Sequence, residues 1–380
     1  MKSKTREIIV YLITCAMILA LFAGCSSPAS APAPTQTSTP SGSGTDAADE
    51  KEELVFGMIV KYPGAPFIQA FINGAEGKAK ELGIRMDIKD GQADSLTIMN
   101  LMDNFITQGI DGFIMAGAVD LQAIVPGVQR LNEAGIPVMA LDTCPEGGIV
   151  DLFISFDIEQ ATTRAAEVFV DGIKARNGGE VPEGVVIEIT GSIEDMFTQA
   201  CMKGFASVIN QYPQLTVAQA EGHWNNDDSH KSTSDLLTRH GAKVLGVYVQ
   251  TPDIMGPGAV SAIEAAGLDP ADYGITGICM GPEGLYLIEE GKILAIVAQP
   301  AMDSAELAVE YLYNLNKGLP IPKIGDTVAK EGAIWSPAEV IKSPWADEGG
   351  FMVLQGPLVP IDVNTDDPRL WENRLSHLWK

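Results

Sequence analysis

Three sets of residues in this chain could do chemistry, and each also has a plainer structural meaning. Gly256-Pro257-Gly258-Ala259-Val260-Ser261 follows a strand-like apolar run and opens a helix, the setting of a dinucleotide-binding turn. It lacks the third glycine of that fingerprint, so no cofactor is expected there. His223-Trp224-Asn225-Asn226-Asp227-Asp228-Ser229-His230 groups two imidazoles with two carboxylates, which could hold a metal. The same stretch can equally be a polar loop in which Asn226 to Ser229 cap the next helix, and no metal is expected. Cys144, Cys201 and Cys279 are an odd set that cannot all pair, and their spacing matches no zinc pattern, so no obligatory disulfide is expected. No nucleophile and base are paired by sequence context, and the chain is not expected to be an enzyme.

Any site must be carried by elements, and these alternate regularly. From Leu54 short apolar runs and amphipathic stretches follow one another with a period of roughly 25 to 30 residues, the mark of βαβ units and a parallel sheet. Strands are predicted over 54–60, 84–88, 112–116, 138–141 and 152–156, with a helix over 158–176. After Asn177-Gly178-Gly179 the pattern restarts, with strands over 185–190, 215–220, 244–249, 275–280 and 293–298. Helices are predicted between them over 195–211, 228–240 and 258–266, and a last one over 301–317. The fold class is therefore α/β, with two doubly wound parallel-sheet lobes. Roughly 325 residues from Glu53 onward exceed what one core normally serves, in keeping with two lobes. The formal net charge of -25 argues against nucleic acid or anionic lipid as a partner.

The first residues read as an export signal. Lys2, Lys4 and Arg6 precede an almost wholly apolar run from Ile8 to Phe22. That run stops at Leu21-Phe22-Ala23-Gly24-Cys25, which resembles the lipobox of bacterial lipoproteins and implies cleavage before Cys25 with lipid on its thiol. An uncleaved anchor or an ordinary signal peptide are the alternatives. Residues 25–52, rich in Ser, Pro, Ala, Thr and Gly, lack the apolar surface to offset ordering entropy and are expected to form a flexible tether.

The order of segments up to about Lys317 resembles the ribose-type periplasmic sugar-binding proteins, the type I solute-binding proteins of ABC importers. Its markers are Pro66-Phe67, Gly74-Ala75, Gln108-Gly109-Ile110-Asp111-Gly112, Val119-Asp120 and Glu133-Ala134-Gly135-Ile136-Pro137-Val138. Lys203-Gly204-Phe205, Gly281-Pro282-Glu283-Gly284 and Ala298-Gln299-Pro300 complete the set. The resemblance implies two lobes joined by three crossing strands on a hinge, with a ligand in the cleft. Chain order then places 54–156 plus 301–325 in an N-terminal lobe and 157–299 in a C-terminal lobe. An irregular tail, 326–380, is expected to return to the C-terminal lobe.

Parallel sheets bind ligands in the crevice beyond the carboxyl ends of their strands. Each ligand hydroxyl buried by closure needs a partner or costs about 1 to 3 kcal/mol, and flat aromatic faces suit the C–H face of a sugar. By the resemblance, Phe67 and Trp224 stand where the family stacks aromatics; otherwise they begin or cap a core. Asp120 matches an aspartate that accepts from two hydroxyls, and can equally be a helix N-cap. Gln299 is a ligand contact or a hinge hydrogen bond. Asp253 follows Pro252 where the family shows Asn-Asp, and Asp142 is either in the cleft or fixing the turn that contains Pro145. Gln199 replaces an arginine, Cys279 an aspartate, Ala65 an asparagine, Ile68 a phenylalanine and Phe156 a small polar residue.

Such a cleft is less charged than a ribose site, so a sugar or polyol other than ribose is expected, with a non-sugar small molecule as the alternative. The implied partners are that ligand, the permease of an ABC importer and, through the lipid on Cys25, the membrane. A monomer outside the cytoplasm is expected. A repressor core shares the architecture but needs a DNA-binding helix pair where this chain has its export signal. A receptor feeding a chemotaxis or sensor-kinase partner would look the same.

Overall fold

The computed structural model describes residues 53–61, 63–117 and 120–379. The expected export signal, Cys25 and the tether lie outside these residues. The N-terminal half runs β1 (Val55–Val60), α1 (Pro66–Leu82), β2 (Arg85–Asp90), α2 (Ser95–Gln108), β3 (Gly112–Ala116), α3 (Val125–Glu133), β4 (Val138–Leu141) and β5 (Ile149–Ser155). Next come α4 (Ile158–Arg176), β6 (Gly184–Thr190), α5 (Met196–Ile209), β7 (Leu215–Glu221), α6 (Asn226–His240), β8 (Val244–Val249) and α7 (Pro252–Ala265). The chain continues through β9 (Thr276–Ile278), α8 (Pro282–Glu289), β10 (Ala295–Val297) and α9 (Ala301–Asn316). It ends with β11 (Thr327–Val328), β12 (Ala338–Lys342), β13 (Glu348–Val353), β14 (Leu358–Val359) and α10 (Trp371–Arg374).

These strands form two sheets, ordered β11-β12-β13-β5-β4-β3-β1-β2 and β14-β10-β9-β8-β6-β7. Their central strands β3, β4 and β6 are buried along their whole length, because helices cover both faces as parallel sheets require. On the first sheet α1 and α9 pack on one face with Trp335 and Trp371, and α2 and α3 on the other with Phe153 and Phe351. On the second, α6, α7 and α8 cover one face and α4 and α5 the other. Local chemistry sets the ends: Pro66 opens α1, and Gly83 closes it in a left-handed cap at φ 69°. Among the described residues, no helix is long and apolar enough to cross a membrane.

Two expectations need correction. The tail is not irregular, and most of it does not go to the second lobe: β13 pairs parallel with β5, β12 and β11 extend that sheet, and only β14 joins the second sheet, on β10. The signal was hidden because Gly349, at φ 117°, sits in an irregular register between Glu348 and Gly350 that breaks the alternation. The Gly256-Pro257-Gly258 string does not open a helix; it lies inside α7, which starts at Pro252. A Cβ on Gly258 would lie 2.2 Å from the Asn226 carbonyl oxygen, so this residue lets α7 approach α6.

Candidate functional site

Parallel strands bring their carboxyl ends to one edge of each sheet, and the chain passes between the sheets from those edges. The crossings leave β5 at Phe156, β10 at 298–300 and β13 at 354–357. The nine candidate residues follow strand ends. Phe67 comes after β1, Asp120 after β3, Asp142 after β4, Phe156 after β5, Gln199 and Trp224 after β6 and β7, and Asp253, Cys279 and Gln299 after β8, β9 and β10.

On the first edge Asp142 is buried at φ 64°, a left-handed conformation that aspartate tolerates better than most residues. Its carboxylate pairs with Lys61 Nζ at 3.3 Å. Lys61, directly after β1, was not singled out from sequence, where a lysine ending an apolar run looks like a solvated strand terminus. The pair places a donor and an acceptor side by side. Phe67 is half-buried, its ring edge-on to Phe71 at 4.7 Å, so part of it belongs to the core of α1. Asp120 is exposed, and its carboxylate accepts from the backbone N–H of Gln122 and of Ala123, at 3.1 and 3.0 Å. That is a turn role; the helix N-cap weighed as its alternative falls to Ile124 instead.

On the second edge the loops build an aromatic wall. Trp224 is held at φ 56°, uncommon for a bulky side chain, and its indole lies flat on Gly191, where a Cβ would come within 1.9 Å of the ring. Phe197 stands edge-on to it at 5.6 Å, and Phe156 follows at 6.4 Å from Phe197. Phe197 was missed because, at the start of an amphipathic helix, it reads as core. Phe156 is 4% exposed and packs with α4 and α5. Gln199 is exposed and donates to the Ile193 carbonyl at 3.3 Å.

A buried polar network anchors the wall from beneath. The Gly191 N–H donates to Gln250 Oε1 at 3.0 Å, and the Gln250 amide donates to Glu188 Oε1 at 3.2 Å. Gln219 donates to the other oxygen of Glu188 at 2.8 Å. Burial raises the Glu188 carboxyl above its usual range, and the two amide donors pull it back. Removing any one of them leaves a buried partner unpaired.

Asp253 caps a neighbouring helix: its Oδ1 accepts from the N–H groups of Glu283 and Gly284 in the first turn of α8, at 3.0 and 3.3 Å. Burial pushes this carboxyl up from 3.8 to about 6, against those two bonds. The folded form therefore holds a proton that the unfolded chain has lost between pH 3.8 and 6. Stability from this group is full below that window, declines as pH rises through it, and is absent above it. Asp253→Asn keeps an acceptor for both amides and cannot ionise. It is expected to match the wild type near pH 4 and exceed it by about 1 to 2 kcal/mol at pH 7. Urea unfolding at both pH values checks this; a difference independent of pH would contradict it.

Cys279, half-buried at φ 59°, directly follows β9 on the second edge. Burial pushes its thiol well above the usual range; Cys201, Asp142 and Asp253 add to the rise, and Lys61 opposes it. These charges place Cys279 in the neighbourhood of the Lys61–Asp142 pair. Cys144 and Cys201 are buried, and all three cysteines are unpaired. Gln299 is 4% exposed and lies at the hinge, lining a small gap with Pro300, Pro357 and Trp371. Cys279 thus feels the charges of Asp142 and Asp253, and Trp224 is linked to Phe156 through Phe197, while Asp120, through one carboxylate oxygen, and Gln199 bond within their own loops.

A family model described as a periplasmic binding protein domain matches residues 56–320. The ribose import binding protein RbsB of Bacillus subtilis is 27% identical over 273 residues, covering 72% of this chain and 85% of that protein. A D-apiose import binding protein of Actinobacillus succinogenes is 26% identical over 254 residues, covering 64% of this chain and 76% of that protein. Among solved structures, a galactofuranose binding protein aligns with a TM-score of 0.67 at 21% identity, covering 85% of this chain and 99% of that one. An ABC transporter periplasmic solute binding protein from Actinobacillus succinogenes with bound D-allose aligns with a TM-score of 0.64 at 20% identity, covering 71% and 94%. At such identities the structural likenesses speak to fold alone.

Proposed function

This chain belongs to the periplasmic binding protein domain family, and we propose that it captures a sugar or polyol between its two sheet edges and presents it to the permease of an ABC importer. The carrying observation is chemical complementarity across the gap. The Trp224 and Phe197 rings offer a C–H-binding wall on one edge, and Lys61 and Asp142 offer a donor and an acceptor on the other. A hydroxyl both donates and accepts, so one ion pair can satisfy it fully. Matching relatives named as import binding proteins for ribose and D-apiose support the substrate class and the permease. With Gln199 and Cys279 at the positions that resemble an arginine and an aspartate of ribose sites, ribose itself is not the proposed ligand. The lipobox-like sequence before Cys25 supports a lipid tether outside the cytoplasm, with the protein acting as a monomer.

Closure is a population shift: a ligand that touches both edges favours the state in which they meet. A thermal-shift screen tests the proposal with D-ribose, D-xylose, D-apiose, D-allose, D-galactose and myo-inositol. At 100 times its Kd a ligand adds about 2.7 kcal/mol, which shifts the melt by several degrees. At least one pentose, hexose or polyol is expected to do so, and D-ribose to do so less. No shift with any of them would contradict the proposal.

A further inference from the structure

The loop between β12 and β13 carries Trp345 to the boundary of the two lobes. Its backbone is fixed to the first lobe. Ser343 Oγ accepts from the N–H groups of Trp345 and Ala346, each at 3.3 Å, and the Asp347 carboxylate accepts from the Gly148 N–H at 2.8 Å. Behind the indole, Phe153 and Phe351 stack on each other at 4.6 Å and meet it edge-on at 5.4 and 5.7 Å. In front of it stands a residue of the other lobe: the indole N–H donates to Met196 Sδ at 3.1 Å. Met196 is the first residue of α5, yet its side chain packs against the first lobe's cluster. The next residue, Phe197, forms the ring contact with Trp224.

We propose that Trp345 is an interlobe positioning residue, which seats Met196 and thereby holds Phe197 in the aromatic wall when the lobes meet. Separating the lobes would return both the thioether and the indole face to water, so their contact favours the closed arrangement. Trp345 lies beyond residue 320, where the match to the family model ends. Its effect on binding rests on the sugar-capture reading; the contact itself does not.

The test uses the chain with its tryptophans labelled with nitrogen-15, whose five indoles report separately. Trp345→Phe keeps a ring in the cluster and identifies the Trp345 resonance by its loss. Met196→Ala is expected to move that resonance and leave those of Trp335, Trp371 and Trp379 in place. An unmoved Trp345 resonance would overturn the proposal. With D-apiose or D-allose as the probe, both variants are expected to release sugar about fivefold faster at an unchanged association rate, since interface changes act mainly on dissociation. Unchanged release would overturn the positioning role. If neither sugar binds, the sugar reading fails for these ligands, and the resonance still decides the contact.

Discussion

Trp224→Ala is expected to weaken binding of the sugar that most raises the melting temperature by about 100-fold, because a buried aromatic anchor commonly carries 2 kcal/mol or more of binding energy. The melt of the free protein should move little. The indole is half-exposed, resting on Gly191 and Phe197 and packing only on the margin of the second lobe's buried cluster. The backbone supplies a control. Position 224 sits at φ 56°, which glycine adopts without strain. Trp224→Gly should therefore be no less stable than Trp224→Ala while losing as much affinity. Titration calorimetry with the same sugar measures both, and an affinity within threefold of wild type in either variant would remove Trp224 from the site.

Asp142→Asn carries the second large effect, a loss of affinity of about 30-fold. Hydrogen bonds from hydroxyls to a carboxylate are charge-assisted and worth about 1.5 to 3 kcal/mol, and an amide can accept at only one of its two ends. The fold should tolerate the change, because asparagine is as comfortable as aspartate at φ 64°. The ion pair to Lys61 is lost, and with the carboxylate buried and the lysine side chain 24% exposed a modest loss of stability is expected beside the loss of affinity. Calorimetry and thermal melting separate the two roles. A destabilised variant with undiminished affinity would make Asp142 a turn residue only.

Much of the architecture is legible because the chain is punctuated. Strands β3, β4 and β8 and helix α4 have the predicted ends, since Gly-Ile and Gly-Ile-Pro breaks precede β3 and β4 and leave apolar runs too short for helices. Helix α7 is longer than predicted because Pro257 looks like a breaker, whereas the helix begins at Pro252 and runs through it. The tail strands are hard to read, since β11 and β14 are two residues each and β13 opens on an irregular Glu-Gly-Gly. Buried Glu188 is likewise hidden, for a glutamate between Ile187 and Ile189 reads as the solvent side of an alternating strand.

The site is legible as a set of loops and less so as a set of side chains. Topology alone sends every candidate to a strand end, but not which carboxylate faces the gap. Asp120 and Asp142 are alike in sequence, and the structure spends the first on the N–H groups of Gln122 and Ala123 and pairs the second with Lys61. Lys61, Phe197 and Trp345 owe their roles to neighbours far away in the chain. No local pattern distinguishes them from a surface lysine, a helix-stripe phenylalanine or a loop tryptophan.

The most direct test is a crystal structure of the chain grown with its best-responding sugar. The sugar should lie between the two sheet edges, with one C–H face on the Trp224 indole and a hydroxyl within hydrogen-bond reach of both Asp142 and Lys61. A sugar bound on the outer face of either lobe, with Trp224 and Asp142 touching only protein, would contradict the proposed capture site.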